Sequence, residues 1–325
     1  MAKPRAKKDY MGMYFAECPE ELHKRVRVRE YEAEGRETKT RIGLAQFDTM
    51  QEYIEMYESL SDRHPAVHDK RRTDIDSKFY MGTKGAYGRS KAVKPLRTVE
   101  GIVNSAKSGH CHNIFVKQID KYREMLDADN IGALQDTVKS IKRVTRFTDD
   151  GADLDIDRVM CGDTEYWRTT KRDGQYRVVR LVINIAMSYD NKAEDFIKLL
   201  AMTYVMAEMI EAKGYGLEIY ACSKATTFTG YLEEQSILIP LKKAQEGLDV
   251  ERMGVVGIVG FFRHVTFIMS NLMFGYYNGN CYRTSNEMRA FMGADVLVEN
   301  TWTRGGKHEQ RKRITKALDK LERGC

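Results

Sequence analysis

The stretch from Tyr176 to Ser223 constrains this fold more than any other. It opens YRVVRLVINIAMS, where Val178, Val179, Leu181, Val182, Ile183 and Ile185 form a nearly unbroken, mostly β-branched run. Such a run predicts a strand buried on both faces. YDNKAEDFIKLLAMTYVMAEMIEAKGY follows. Phe196, Leu199, Leu200, Tyr204, Met206 and Ile210 give it a broad apolar stripe, and Gly214 supplies a stop, which predicts a long helix. Leu217 to Tyr220 reads as a second, short strand. Strand, helix and strand make a βαβ unit with parallel strands. The second half of the chain is therefore expected to hold a central α/β sheet.

Other elements extend this picture. Asp173-Gly174 between two strand-like runs predicts a hairpin, so the strand at 177–186 is expected to have an antiparallel neighbour before it. Leu154 to Asp157 alternates like a half-buried strand. Ser236–Leu241 and Ala294–Val298 read as further strands. Asp249–Met273 reads as one long buried helix, and His308–Arg323 as a basic terminal one. In the N-terminal part, Asp48 and Gln51 form a capping pattern ahead of Met50, Tyr53, Ile54 and Tyr57. Helices are also expected from Thr98, over Asn113–Leu126 and over Ala133–Val144. The expected class is α/β, a mixed central sheet with flanking helices plus a mostly helical N-terminal region. The expected division is a region 1–150 followed by an α/β domain 151–325.

The strand–turn–helix layout over about 155–323 resembles a von Willebrand factor A-like domain. In that family the turn reads Asp-x-Ser-x-Ser and holds Mg²⁺. Here the turn reads Asn184-Ile-Ala186-Met-Ser188, with Asp190 two residues on. An amide replaces the carboxylate and a methyl replaces one hydroxyl. Mg²⁺ demands anionic oxygen, so no metal and no cofactor is expected. The resemblance extends to uncharacterised phage-encoded proteins with such degenerate domains, over Gly162-Asp163 through Trp167 and the following strand. It implies a binding scaffold, with Asn184, Ser188 and Asp190 as a partner-gripping turn.

Lys70 to Arg97 reads KRRTDIDSKFYMGTKGAYGRSKAVKPLR, nine Lys or Arg against two Asp, with interleaved aromatics and glycines. Basic side chains can track phosphates while aromatic faces stack on bases, which is what single-stranded nucleic acid needs. Lys78, Lys84, Arg89, Lys91 and Lys94 are the candidate phosphate contacts, and Phe79, Tyr80 and Tyr87 the candidate stacking residues. A solvated basic loop with tucked aromatics is the bland alternative. The net charge of +6 permits an anionic partner. The face Arg311, Lys312, Arg313, Lys316 and Lys320 is a further basic surface, with a solvated helix face as its plain reading.

Signs of catalysis are sparse. The six cysteines show no CxxC spacing and read as scattered reduced thiols. Cys222 reads as a small buried thiol. His64, His68, His110, Cys111 and His112 lack a zinc-site spacing, there is no GxSxG elbow, and Glu233-Glu234 is an adjacent pair without a distinctive setting. The basic N-terminus has no apolar core behind it, and no apolar run reaches membrane-spanning length. The expectation is a non-catalytic cytoplasmic protein, in the host cytoplasm if phage-encoded. It would bind single-stranded DNA as a replication or transcription accessory factor and recruit a protein partner such as a polymerase. The alternatives are an adaptor working with an AAA+ ATPase and a virion assembly component.

Overall fold

The structure is a computed structural model describing residues 22, 24–32, 40–63, 98–111, 113–127, 143–148, 153–154, 156–161, 167–172, 177–186, 193–226, 234–274 and 284–322. Its centre is a six-stranded mixed sheet. The strands are β1 (Val26–Tyr31), β2 (Thr40–Gln46), β6 (Val178–Asn184), β7 (Gly216–Thr226), β8 (Glu234–Lys242) and β9 (Val296–Val298), in the order β1-β2-β8-β7-β6-β9. A separate three-stranded antiparallel sheet has the order β3-β5-β4, from β3 (Arg143–Thr148), β4 (Asp153–Leu154) and β5 (Trp167–Arg172).

The apolar run of β6 lies mid-sheet, between two parallel neighbours. Val178 pairs with Gly216 and Asn184 with Cys222 on the β7 side, while Leu181 to Ile183 pair with Val296 to Val298 of β9. Leu181, Val182 and Ile183 are fully buried, as a strand covered on both faces requires. The connecting helix Ala193–Ala212 closes at Gly214 with φ 85°. Gly214 N–H donates to Glu211 C=O and Tyr215 N–H to Ile210 C=O, a Schellman closure that only a residue at ease with positive φ completes cheaply. Beyond β7 the chain reverses: β8 runs antiparallel to β7, β2 parallel to β8, and β1 antiparallel to β2.

The expected hairpin partner of β6 is not there. The strand before it, β5, pairs with β3 and β4 instead. β6 has β7 on one side and β9 on the other, which leaves it no edge for a third partner. Asp173-Gly174 lies outside the described residues. The alternating run at 153–157 is a strand only at Asp153–Leu154, and Ile156–Met160 is a short helix. The N-terminal part supplies β1, β2 and β3 beside its helices Met50–Arg63, Val99–Ser108 and Asn113–Asp127, so the central sheet draws on both sides of residue 150. Val144 is in β3, and residues 133–142 lie outside the described set.

One face of the sheet meets most of the helices. Phe47, Tyr53, Ile54, Val99, Ile102, Leu181, Ile183, Phe196, Leu200, Ile219, Ile237, Phe261, Leu318 and their neighbours form this principal core. The helix starting at Met50 is capped one residue later than the sequence suggests. Thr49 Oγ1 accepts from Glu52 N–H, and a Glu52 carboxylate oxygen accepts from Asp48 N–H. The other face is thinner. Ile42, Leu44, Val182, Tyr220, Cys222 and Leu238 meet Met288 and Met292 of the short helix Asn286–Met292.

The apolar segment after Asp249 is broken rather than one long helix. It runs as Val250–Val256, a tight turn, the π-helical Phe261–Thr266 and Phe267–Phe274, with a 55° bend. The break falls where Gly257 lies against the helix Ala193–Ala212: a Cβ there would stand 2.1 Å from Leu200 Cδ1. Gly257 N–H and Ile258 N–H bond three residues back, to Gly254 and Val255, tightening the turn. These residues are buried in the core, and no single helix among the described residues is long and apolar enough to cross a membrane.

Candidate functional site

Strands β6, β7 and β9 run parallel, so their carboxyl ends share one edge of the sheet. Open α/β sheets bind ligands beyond such an edge. Alternation places Asn184, Cys222 and Lys224 on the thinner-core face here, with Ser236 opposite Lys224 and Glu234 opposite Thr226. An apolar strand thus ends in a buried polar layer.

Lys224 is the most unusual member. Its side chain has no exposed surface, and its Nζ lies 3.6 Å from a carboxylate oxygen of Glu234, whose side chain is 11% exposed. Glu234 also accepts from the Ser285 hydroxyl at 2.8 Å and from Ser285 N–H at 3.2 Å. Ser285 in turn caps the helix Asn286–Met292, its hydroxyl accepting from Met288 N–H. Glu299 accepts from Thr284 N–H at 2.7 Å. Two carboxylates thereby fasten consecutive backbone amides of one loop.

The Cys222 thiol lies in the same layer. Burial pushes it up to about 12, and the Glu299 charge adds to this, while the Ser236 hydroxyl and Lys224 pull the other way. It stays protonated at neutral pH, and a protonated thiol is a poor nucleophile.

Asn184 is buried at the end of β6. Its Oδ1 accepts from Ala186 N–H, which fixes the amide orientation. Its Nδ2 has no hydrogen-bond partner among the described residues. Asn300 bridges to the same turn, donating from Nδ2 to Ala186 C=O. This donor set does not fit Mg²⁺. The amide oxygen is already occupied by a backbone N–H, and a lysine ammonium lies in the same layer. Among the described residues no group of three His, Cys, Asp or Glu could hold a metal ion.

Of the site residues expected from the sequence, Asn184 alone is described. Ser188 and Asp190 lie outside the described residues, as do Lys78, Phe79, Tyr80, Lys84, Tyr87, Arg89, Lys91 and Lys94. His110 bonds Glu251 at 2.6 Å and Cys111 is buried, whereas His64, His68 and His112 lie outside. On the terminal helix Lys307–Glu322, Arg311 donates to Met125 C=O and Arg313 to the carbonyls of Thr301 and Arg304. Lys312, Lys316 and Lys320 remain exposed, one helical turn apart.

Sequence reasoning missed Lys224 and Glu299 and passed over Glu234. A lysine in the strand-like run Cys222-Ser-Lys-Ala-Thr was the available signal, since an interior strand lysine needs a partner. At the opposite edge, a pocket of about 210 Å³ is lined by Asp48, Thr49, Lys107, Lys243, Glu246 and Arg252. Arg252 pairs with Glu246 there, and Lys107 with Glu58.

Fold and edge together define an α/β protein with a mixed sheet and a buried polar layer at the carboxyl ends of its parallel strands. The chain belongs to the family described as Domain of unknown function (DUF7192), which matches residues 36–321. No curated protein and no solved structure matches it.

Proposed function

We propose that this protein binds nucleic acid without catalysis, prefers single-stranded DNA, and serves as an accessory factor in phage replication or transcription in the host cytoplasm. The observation that carries the reading is the density of Lys70–Arg97, nine cations and three aromatics interleaved with glycines. Lys78, Lys84, Arg89, Lys91 and Lys94 would meet phosphates, and Phe79, Tyr80 and Tyr87 would stack on bases. The non-catalytic part of the reading is supported by the protonated Cys222 thiol and by carboxylates already engaged by backbone donors. The test is binding of a labelled single-stranded oligonucleotide to the full chain carrying Tyr80→Ala or Lys84→Glu. Each variant should bind more weakly, and Lys84→Glu should also flatten the salt dependence. Unchanged binding by both variants would remove this segment from the interface.

One observation favours a second reading, a von Willebrand factor A-like adaptor that grips a protein partner such as an AAA+ ATPase. Asn184 stands at the carboxyl end of the central strand with a buried amide nitrogen that has no partner among the described residues. The grip would then lie in the turn of Asn184, Ser188 and Asp190. Altering that turn should abolish capture of the partner and leave oligonucleotide binding intact.

A further inference from the structure

The pocket of about 210 Å³ lies away from the Lys224–Glu234 layer, because β8 runs antiparallel to β7 and brings its carboxyl end to the other edge of the sheet. Stretches far apart in sequence close it: the start of the helix Met50–Arg63, the end of the helix Val99–Ser108, the end of β8 with the turn after it, and Arg252. Its wall carries four cations, Lys107, Lys242, Lys243 and Arg252, against two acids, Asp48 and Glu246. Lys242 is a fixed part of that wall. Its side chain is 2% exposed, and its ammonium donates to the carbonyls of Leu217 and Lys243 and pairs with Glu211 at 3.1 Å. Glu246 is engaged as well, accepting from Lys243 N–H at 3.0 Å and from Arg252 at 3.2 Å. The pairs Arg252–Glu246 and Lys107–Glu58 are both partly exposed. Pairs of that kind are worth little, so either cation turns to a stronger acceptor at small cost. The Lys243 side chain is exposed and makes no ion pair among the described residues. Asp48 is the one wall acid that no described cation neutralises. The volume falls below the roughly 300–1,000 Å³ of drug-sized sites, so the occupant is small.

We infer that this pocket binds a phosphoryl group, as free phosphate or a small phosphomonoester, with Lys243, Arg252 and Lys107 as its cationic contacts. These three come from different elements and converge on one small volume. A phosphoryl dianion offers three strong acceptor oxygens to donors arriving from separate directions, where a carboxylate offers two oxygens and one charge. The guanidinium supplies a planar fork and each ammonium a compact charge. The inference goes beyond the nucleic-acid reading and does not depend on it.

The test is isothermal titration calorimetry of the full chain at low salt with inorganic phosphate, methyl phosphate and acetate in turn. Saturable binding of a phosphate at one site, with acetate much weaker, is the expected result. Lys243→Gln should weaken that binding at least about tenfold, the loss of one charge-assisted hydrogen bond. Asp48→Asn should tighten it, because the like charge facing the anion is gone. Neither side chain is tied into an ion pair among the described residues, so both variants should keep the wild-type melting temperature. Tighter binding of methyl phosphate assigns the site to a phosphomonoester, and tighter binding of inorganic phosphate assigns it to the free ion. The inference is overturned if neither phosphate binds, if acetate binds as well as they do, or if Lys243→Gln keeps the wild-type affinity. Any of those results leaves the nucleic-acid reading where it stands, since oligonucleotide binding is measured separately.

Discussion

Replacing either member of the Lys224–Glu234 pair should destabilise the fold far more than a surface ion pair would. Lys224 has no exposed side-chain surface and Glu234 is 11% exposed, with 3.6 Å between their charged atoms. Breaking a buried pair leaves an uncompensated buried charge and costs about 3–5 kcal/mol. The two single changes should differ. Lys224→Met leaves the Glu234 carboxylate still accepting the Ser285 N–H and O–H, so about 3 kcal/mol is expected. Glu234→Gln removes the carboxylate charge that faces the buried Lys224 and weakens the anchor of the Asn286–Met292 helix, so about 5 kcal/mol is expected. An unfolding entropy of roughly 2.1 cal/mol/K per residue gives about 0.7 kcal/mol/K for a chain of this length, so the melting point should fall by about 4 and 7 °C. The double variant should recover to within about 2 kcal/mol of wild type, because neutral groups of similar volume replace a buried pair at little cost. Calorimetry on the four proteins closes the cycle. Single losses below about 1 kcal/mol that simply add would show a solvent-screened pair and refute the buried polar layer.

Four further outcomes follow from geometry and burial. Gly257→Ala should destabilise by about 1–3 kcal/mol in urea unfolding, since its Cβ would stand 2.1 Å from Leu200 Cδ1 in a filled core. Thr98→Ala removes the hydroxyl that accepts from Gly101 N–H and should cost about 1 kcal/mol. In the folded protein Cys161, which is exposed, should react with a maleimide well before the buried Cys111 and Cys222, as peptide mapping can read. The same burial sets an alkaline limit. The Cys222 thiol titrates near 9 when unfolded and near 12 when folded, so its contribution is whole below pH 9 and is lost as pH rises towards 12. Cys222→Ala should flatten the fall of stability across that window.

The sequence was most informative where one periodicity had one solution. The β-branched run of β6 admitted only a doubly covered strand, and Gly214 closed the following helix as its position suggested. Sequence adjacency misled at β5, where a turn-like Asp-Gly pointed to a hairpin but both edges of β6 are taken by β7 and β9. It misled again at 249–273: helical periodicity is blind to the close approach that bends the chain at Gly257. The polar layer was hidden for a different reason. Strand pairing brings Glu234 near Lys224, and Ser285 reaches the same carboxylate from a distant loop, so beyond a lysine in a strand-like run local pattern carries no trace of the layer.

The most direct measurement is titration of the wild-type chain into a labelled single-stranded oligonucleotide and its matched duplex, each at low and near-physiological salt. The account predicts tight binding to the single strand, weaker binding to the duplex, and a steep loss as salt rises. Absence of binding at low salt, or equal and salt-insensitive binding to both, would contradict it and turn attention to a protein partner at the Asn184 edge.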